Sequence, residues 1–425
     1  NLNSKCYFYL LLSILTISMC IGFTLIGSQN INSNLVNVQD LVNKISAGSE
    51  EFALDLFKRI SIVVAPHAYD FMISPFTIWS LLVLVAEGAK GNTLEQLRNT
   101  LRINQDINTV REGYKVIAKA LNVNTSTIQV STLQALFFEL KQPVLAEYER
   151  TITGSYVADL VPVDFQDSTA AQKVINSFID RKTNGLIDYV VNVDDLHGAK
   201  MLLISAIYFK GQWKMPFNRT LTTFEPFYDE LGKEAGKVNM MFQRGVFRYT
   251  AIAALDSHVL ELPYGKEDRL AMIIFLPRKG ALLTSVIEKL ASYGIKNIFA
   301  ELHKSSQYDE DDEVEVYLPR FTSTSDFVLN IILEEMGILD AFSARADFTK
   351  MSNDNLYLSR VFHKTKIEVN EEGTVASSVT GATFANKATP PRFYINRPFA
   401  YIIVEKTTNS LLFCGQVRDP TKFNL

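Results

Sequence analysis

The chain has 425 residues, 47% apolar and 21% charged, with a formal net charge of −4. That length and balance describe a globular protein able to bury a large core. The mild acidity implies no strongly basic face, which argues against a nucleic-acid binder.

In chain order, Lys5 precedes a mostly apolar run from Tyr7 to Ile17, then Cys20 and apolar residues through Ile26. This is the layout of a secretory signal, expected over residues 1–27, with an uncleaved membrane anchor as the alternative. A polar segment is expected over 28–45. Removal of the leader leaves Cys414 as the lone cysteine, so stability rests on packing rather than on an internal disulfide. The sequons at Asn124 and Asn218 fit a secreted glycoprotein.

Phe52, Leu56 and Ile60 repeat at helical spacing, with Ser49 as the expected N-cap. Ser74-Pro75 opens a second helix whose apolar face is Ile78, Leu81, Leu82, Val85 and Ala89; Glu87 to Gly91 ends it. A third carries Arg111, Lys115 and Lys119 one turn apart. That stripe is either a solvated face or a site for a heparin-like polyanion. Met201 to Phe209 and Leu270 to Leu276 are near-continuous apolar runs, expected for strands covered on both faces. Val314, Val316 and Leu318 form a further strand, after an acidic turn at Asp309 to Glu313. Phe399 to Val404 and Leu411 to Val417 flank Thr407-Thr408-Asn409-Ser410 as a hairpin. Helices concentrate early and strands late, which predicts one α+β domain over 46–425.

Residues 371–391 stand apart. From Thr374 to Ala385 every residue is uncharged and, apart from Phe384, small or apolar; proline enters only at Pro390 and Pro391. Surface loops are ordinarily broken by proline, asparagine and charge. Here Thr374, Ala376, Ser378, Thr380 and Ala382 alternate onto one face and are small enough to be buried, as in a loop able to join a sheet. Lys387 near the far end is a basic residue suited to a protease.

No nucleophile elbow, zinc-helix pattern, phosphate loop or Cys-x-x-Cys pair is present, and the five histidines have no ligand spacing. No catalytic or metal residue is assigned, no cofactor is required, and a hydrolase is disfavoured.

Six segments resemble the serpin family in the family's own order. They are Ile73-Ser-Pro-Phe-Thr-Ile78 with Gly88-Ala-Lys-Gly-Asn-Thr93, Ala206-Ile-Tyr-Phe-Lys-Gly-Gln-Trp213, Val361 to Thr374, Phe393-Tyr-Ile-Asn-Arg-Pro-Phe-Ala-Tyr401, and Leu411 to Val417. The likeness covers about Phe52 to Pro420. It implies a large central β-sheet with further sheets, surrounding helices and an exposed reactive loop at about 371–391. It also implies an extracellular, monomeric suicide inhibitor forming a covalent 1:1 complex with a serine protease, without nucleic-acid or membrane partners.

By the family's loop length the cut falls between Lys387 and Ala388, which implies a trypsin-like target; a chymotrypsin-like cut after Phe384 is the lesser option. Asn386-Lys387 is similar to the bond in some arthropod serpins that restrain melanisation and immune cascades. Glu371, Glu372, Gly373, Thr374, Val375, Ala376, Ser377, Ser378, Val379 and Thr380 are the implied insertion hinge. Val375 and Val379 depart from the usual acidic residue and alanine, but valine suits a strand. Ser74, Thr77, Ser205 and His363 resemble a polar cluster beneath the opening sheet; Asp70 and Ser205 stand where asparagine is common. Trp213 resembles the residue under the insertion point, and Arg320 with Glu371 a pair at the top of the sheet. A carrier serpin without inhibitory activity is the alternative.

Overall fold

The computed structural model describes residues 40–305, 313–372 and 390–423. A helix over 40–64, α1, opens the described chain. It begins inside the segment expected to be polar and buries Val42 and Ile45 along with Phe52, Leu56 and Ile60. Ser49 therefore lies within the helix rather than capping it, and its hydroxyl donates to the Ser46 carbonyl one turn back at 3.1 Å.

After β1 (Phe71–Ile73) comes α2 (Pro75–Gly88), every residue of which is buried. The sequence predicts one apolar face; a helix enclosed on all sides lies between layers instead. α3 (Gly91–Thr100) and α4 (Ile107–Leu121) follow, the latter capped by Asp106, whose carboxylate accepts from the amides of Asn108 and Thr109. β2 (Ile128–Glu139), α5 (Ala146–Ser155), β3 (Asp159–Val163), α6 (Ser168–Lys182) and β4 (Met201–Gly211) complete the first half. Three strands thus precede residue 164, yet helices dominate the first half and strands the second, as the sequence predicts. β2 hides in the sequence because Gln129, Ser131 and Gln134 break its apolar run. β3 hides because Pro162 sits in it, tolerated at the sheet's edge.

Then come β5 (Thr223–Tyr228), β6 (Glu234–Val246), β7 (Tyr249–Ile252), β8 (Ser257–Tyr264) and β9 (Leu270–Pro277). They lead to α7 (Leu283–Tyr293), α8 (Ile295–Ser305), β10 (Glu313–Pro319), β11 (Phe321–Val328) and α9 (Asn330–Glu335). The chain ends in β12 (Arg360–Val369), β13 (Arg392–Tyr394), β14 (Phe399–Glu405) and β15 (Ser410–Val417). β14 and β15 pair antiparallel as the hairpin the sequence predicts, and every residue of both is buried.

Among the described residues three sheets form. Strands β11-β12-β4-β2-β3 make the central sheet, β1-β15-β14-β9-β8-β7 a second and β13-β10-β6-β5 a third. α2 touches β15 on one side and β2 and β4 on the other, so it is the filling between the two larger sheets. The α+β expectation is met by this layering.

Candidate functional site

The seam of the central sheet lies between β12 and β4. Arg360 to Ile367 pair with Leu202 to Phe209 in parallel, whereas β12 with β11 and β4 with β2 are antiparallel. A parallel pair of neighbouring strands is slightly less stable per residue than an antiparallel one.

Beyond β12 the chain is held at Asn370 to Glu372. The Trp213 indole Nε1 donates to the Asn370 carbonyl at 2.9 Å, and the Phe217 amide donates to the Glu371 carbonyl at 2.7 Å. Trp213 itself stacks on Tyr264, ring centres 4.4 Å apart. The Glu371 side chain, 1% exposed, pairs with Arg320 and accepts from the Thr222 hydroxyl at 2.7 Å. Burial pushes its pKa up, and the hydrogen bonds from Arg320 and Thr222 more than offset this, leaving it below the usual glutamate value. Arg219 reaches Glu372 at 2.8 Å. Arg320 thus pairs with Glu371, and Trp213 lies against the residue that follows β12.

Lower on the seam, His363 on β12 is opposite Ser205 on β4. The Ser74 amide donates to His363 Nε2 at 2.8 Å, Thr77 Oγ1 donates to the Ser74 carbonyl at 2.9 Å, and Ser205 Oγ donates to Thr77 Oγ1 at 2.8 Å. All four residues are buried, and together they tie both strands of the seam to the start of α2. Burial lowers the His363 pKa to about 3, so the ring is neutral with its proton on Nδ1. Asp70 does not join this cluster. Its Oδ1 accepts from the amides of Arg418 and Asp419 at 2.5 and 3.0 Å, because β1 places it beside the end of β15.

The basic stripe on α4 is smaller than its spacing suggests. Arg111 turns inward onto Glu87, with Nε and Nη2 each 2.7 Å from one carboxylate oxygen, and the Tyr156 hydroxyl donates to the same carboxylate at 2.6 Å. Lys115 and Lys119 remain exposed, Lys115 next to Glu112 at 2.9 Å. Asn124 is exposed; Asn218 is half-buried and its Oδ1 caps Thr220. Gly373 to Thr380, Lys387, Ala388 and residues 1–27 lie outside the described residues.

Thr222, Thr365 and the Glu87–Tyr156 contact escape sequence reasoning. Thr365 donates to the Met72 carbonyl at 2.7 Å, anchoring β12 to β1 across 293 positions. Among the described residues no group of three or more His, Cys, Asp or Glu is placed to hold a metal ion, and no helix is long and apolar enough to cross a membrane.

The family described as Serpin (serine protease inhibitor) matches residues 47–420. Human leukocyte elastase inhibitor is 34% identical over 395 residues, covering 89% of this chain and all of the relative. Human Serpin B11 is 33% identical over 401 residues, with 89% of this chain and 100% of the relative covered. Among solved structures, human thyroxine-binding globulin with its thyroid hormone superposes at a TM-score of 0.78 and 27% identity, covering 89% of this chain and 99% of that one.

Proposed function

This chain belongs to the serpin family, and from that membership we propose that it is a secreted suicide inhibitor of a trypsin-like serine protease. The observation that carries the reading is the parallel β12–β4 seam with the loop root fixed at its end. A segment doubling back from Glu372 between these strands runs antiparallel to both. One parallel contact is exchanged for two antiparallel ones. Thr374 to Ala385 supplies about a dozen uncharged residues for that strand. At about 1 kcal/mol net per hydrogen bond, insertion releases on the order of 10 kcal/mol, comparable to the stability of a domain.

The target cleaves Lys387–Ala388 and is carried with the loop as an acyl-enzyme before water completes hydrolysis. Lys387 enters a specificity pocket whose floor is an aspartate. The apolar leader before Gly27 supports secretion, and an extracellular immune or clotting-type cascade is the setting it suits. Lys115 and Lys119 are the residues left for a heparin-like polyanion.

Mixing the protein with trypsin tests the reading. The expected product is an SDS-stable 1:1 adduct and a released peptide beginning at Ala388 by mass spectrometry. Turnover of the loop with no adduct overturns it. The likeness to thyroxine-binding globulin favours a second reading, a carrier, which the same gel separates from an inhibitor.

A further inference from the structure

Arg397 stands in the short link between β13 and β14, half-buried, and its Nε and Nη2 both donate to the Pro277 carbonyl, at 3.0 and 2.6 Å. That acceptor is neutral, and Arg397 forms no ion pair among the described residues. Burial alone acts on its pKa, downward, with no carboxylate opposing it. A guanidinium withdrawn from water without a counter-ion is costly, and a negative charge bound beside it removes that cost.

Its surroundings add positive charge. Arg278 follows Pro277 directly, at the end of β9, and its amide donates to the Asp256 carbonyl at 2.8 Å. The Arg278 guanidinium has no hydrogen bond or ion pair among the described residues. His258 of β8 pairs with Leu276 of β9, one position before Pro277. Burial first, then the charges of Arg278 and Arg397, lower the His258 pKa, so the three side chains share one field. Asp256 is the carboxylate beside them. It lies within the field of Arg278, and Lys289 of α7 is already bonded to it. The cluster is left with an excess of positive charge.

Two properties decide what fits. Arg397 spends part of its N–H fork on Pro277 and Arg278 spends none of its own, which leaves forked donors around one main-chain position. Such forks match the paired oxygens of phosphate and sulfate. Two fixed cations and a titratable third match a dianion better than a single carboxylate. The groups gather on one carbonyl at the end of a sheet instead of running along an element. The fit is therefore to one head group and not to an extended polyanion.

We propose that Arg397, Arg278 and His258 form a binding site for the dianionic head of a phosphate or sulfate monoester. The site does not depend on the inhibitor reading above.

The test is calorimetric titration of the full chain with sulfate, with ionic strength held constant by chloride. Saturable binding to one site is expected, with affinity for chloride at least about ten-fold weaker. Phenyl phosphate and phenyl sulfate compete for it, and the stronger competitor identifies the ester; competition by neither overturns the monoester. Arg278→Glu places a carboxylate in the cluster and weakens sulfate binding by about ten-fold or more, while Lys115→Glu on α4 leaves it unchanged. No saturable binding by the wild type, an equal loss in both variants, or wild-type affinity in Arg278→Glu overturns the site. The pH dependence supplies a second readout, because sulfate keeps both charges while His258 gains its proton below its ordinary value of 6.5. From pH 8 to pH 5 the wild type binds about three-fold tighter or more, and His258→Gln does not. Equal wild-type affinity at both values overturns the place of His258 in the site.

Discussion

Trp213 and Asn370 stand 157 positions apart and are joined by one hydrogen bond, indole Nε1 to main-chain carbonyl, at 2.9 Å. It fastens the residue that leaves β12 to the chain that leaves β4, at the end of the seam where the proposed insertion would start. Trp213→Phe keeps a ring over Tyr264 and removes the donor. The expected loss is about 1–2 kcal/mol of stability, read as a lower urea midpoint at unchanged slope. A midpoint equal to the wild type means that the bond contributes nothing.

Lys387→Ala removes the only basic residue between Thr374 and Pro391. Inhibition of trypsin is expected to fall by at least about a hundred-fold, since the buried charge pairing with the specificity pocket is lost. Retained inhibition in a rate assay places the scissile bond elsewhere.

Thr374→Arg puts a charge on the face that the proposed insertion buries. Desolvating it without a partner costs several kcal/mol, which stalls insertion long enough for hydrolysis to finish. The protein is then a substrate: cleaved chain accumulates on a gel in place of adduct. Wild-type stoichiometry of adduct contradicts the insertion mechanism.

His363 makes stability depend on pH. Its folded pKa, lowered by burial to about 3, lies below the unfolded value near 6.5. Between these values the unfolded chain binds the extra proton, so stability falls as pH falls from about 6.5 toward 3. Protonating Nε2 would also turn the acceptor of the Ser74 amide into a second donor. At pH 5 the loss is about 2 kcal/mol relative to pH 8. His363→Gln should start from a lower stability and flatten that part of the profile, measured by urea titration at pH 8, 6.5 and 5. An unaltered slope assigns the pH dependence to other groups.

Arg111→Met leaves the Glu87 carboxylate, 4% exposed, with the Tyr156 hydroxyl as its remaining neighbour in the triad. Removing one partner of a buried pair costs about 3–5 kcal/mol. The expected result is a melting temperature lower by several degrees; the double variant Arg111→Met with Glu87→Leu recovers part of it. Equal melting of wild type and single variant shows that the pair is stability-neutral.

Local pattern was enough for the strands β4, β9, β10, β14 and β15 and for α2 and α4. In each, side chains repeat at the period of the element or fill it outright. The uncharged stretch after Gly373 is read from residue size and charge alone and lies outside the described residues. The start of α1 was not legible, because Val42 and Ile45 are too few to mark a helix before Phe52. Nor was the complete burial of α2, since periodicity states how many faces are apolar but not how many layers cover them.

The amino-acid sequence by itself determined the strands β4, β9, β10, β14 and β15 and the helices α2 and α4, and it contains an uncharged stretch, Thr374 to Ala385, with Lys387 just beyond it. These follow from periodicity, volume and charge along neighbouring positions. Only the tertiary structure decided that Arg111 belongs to Glu87 rather than to the surface, and that Asp70 serves the end of β15 rather than the seam. Each of those is a contact between residues at least 24 positions apart, and its partner is chosen by how layers stack rather than by what stands next in the chain.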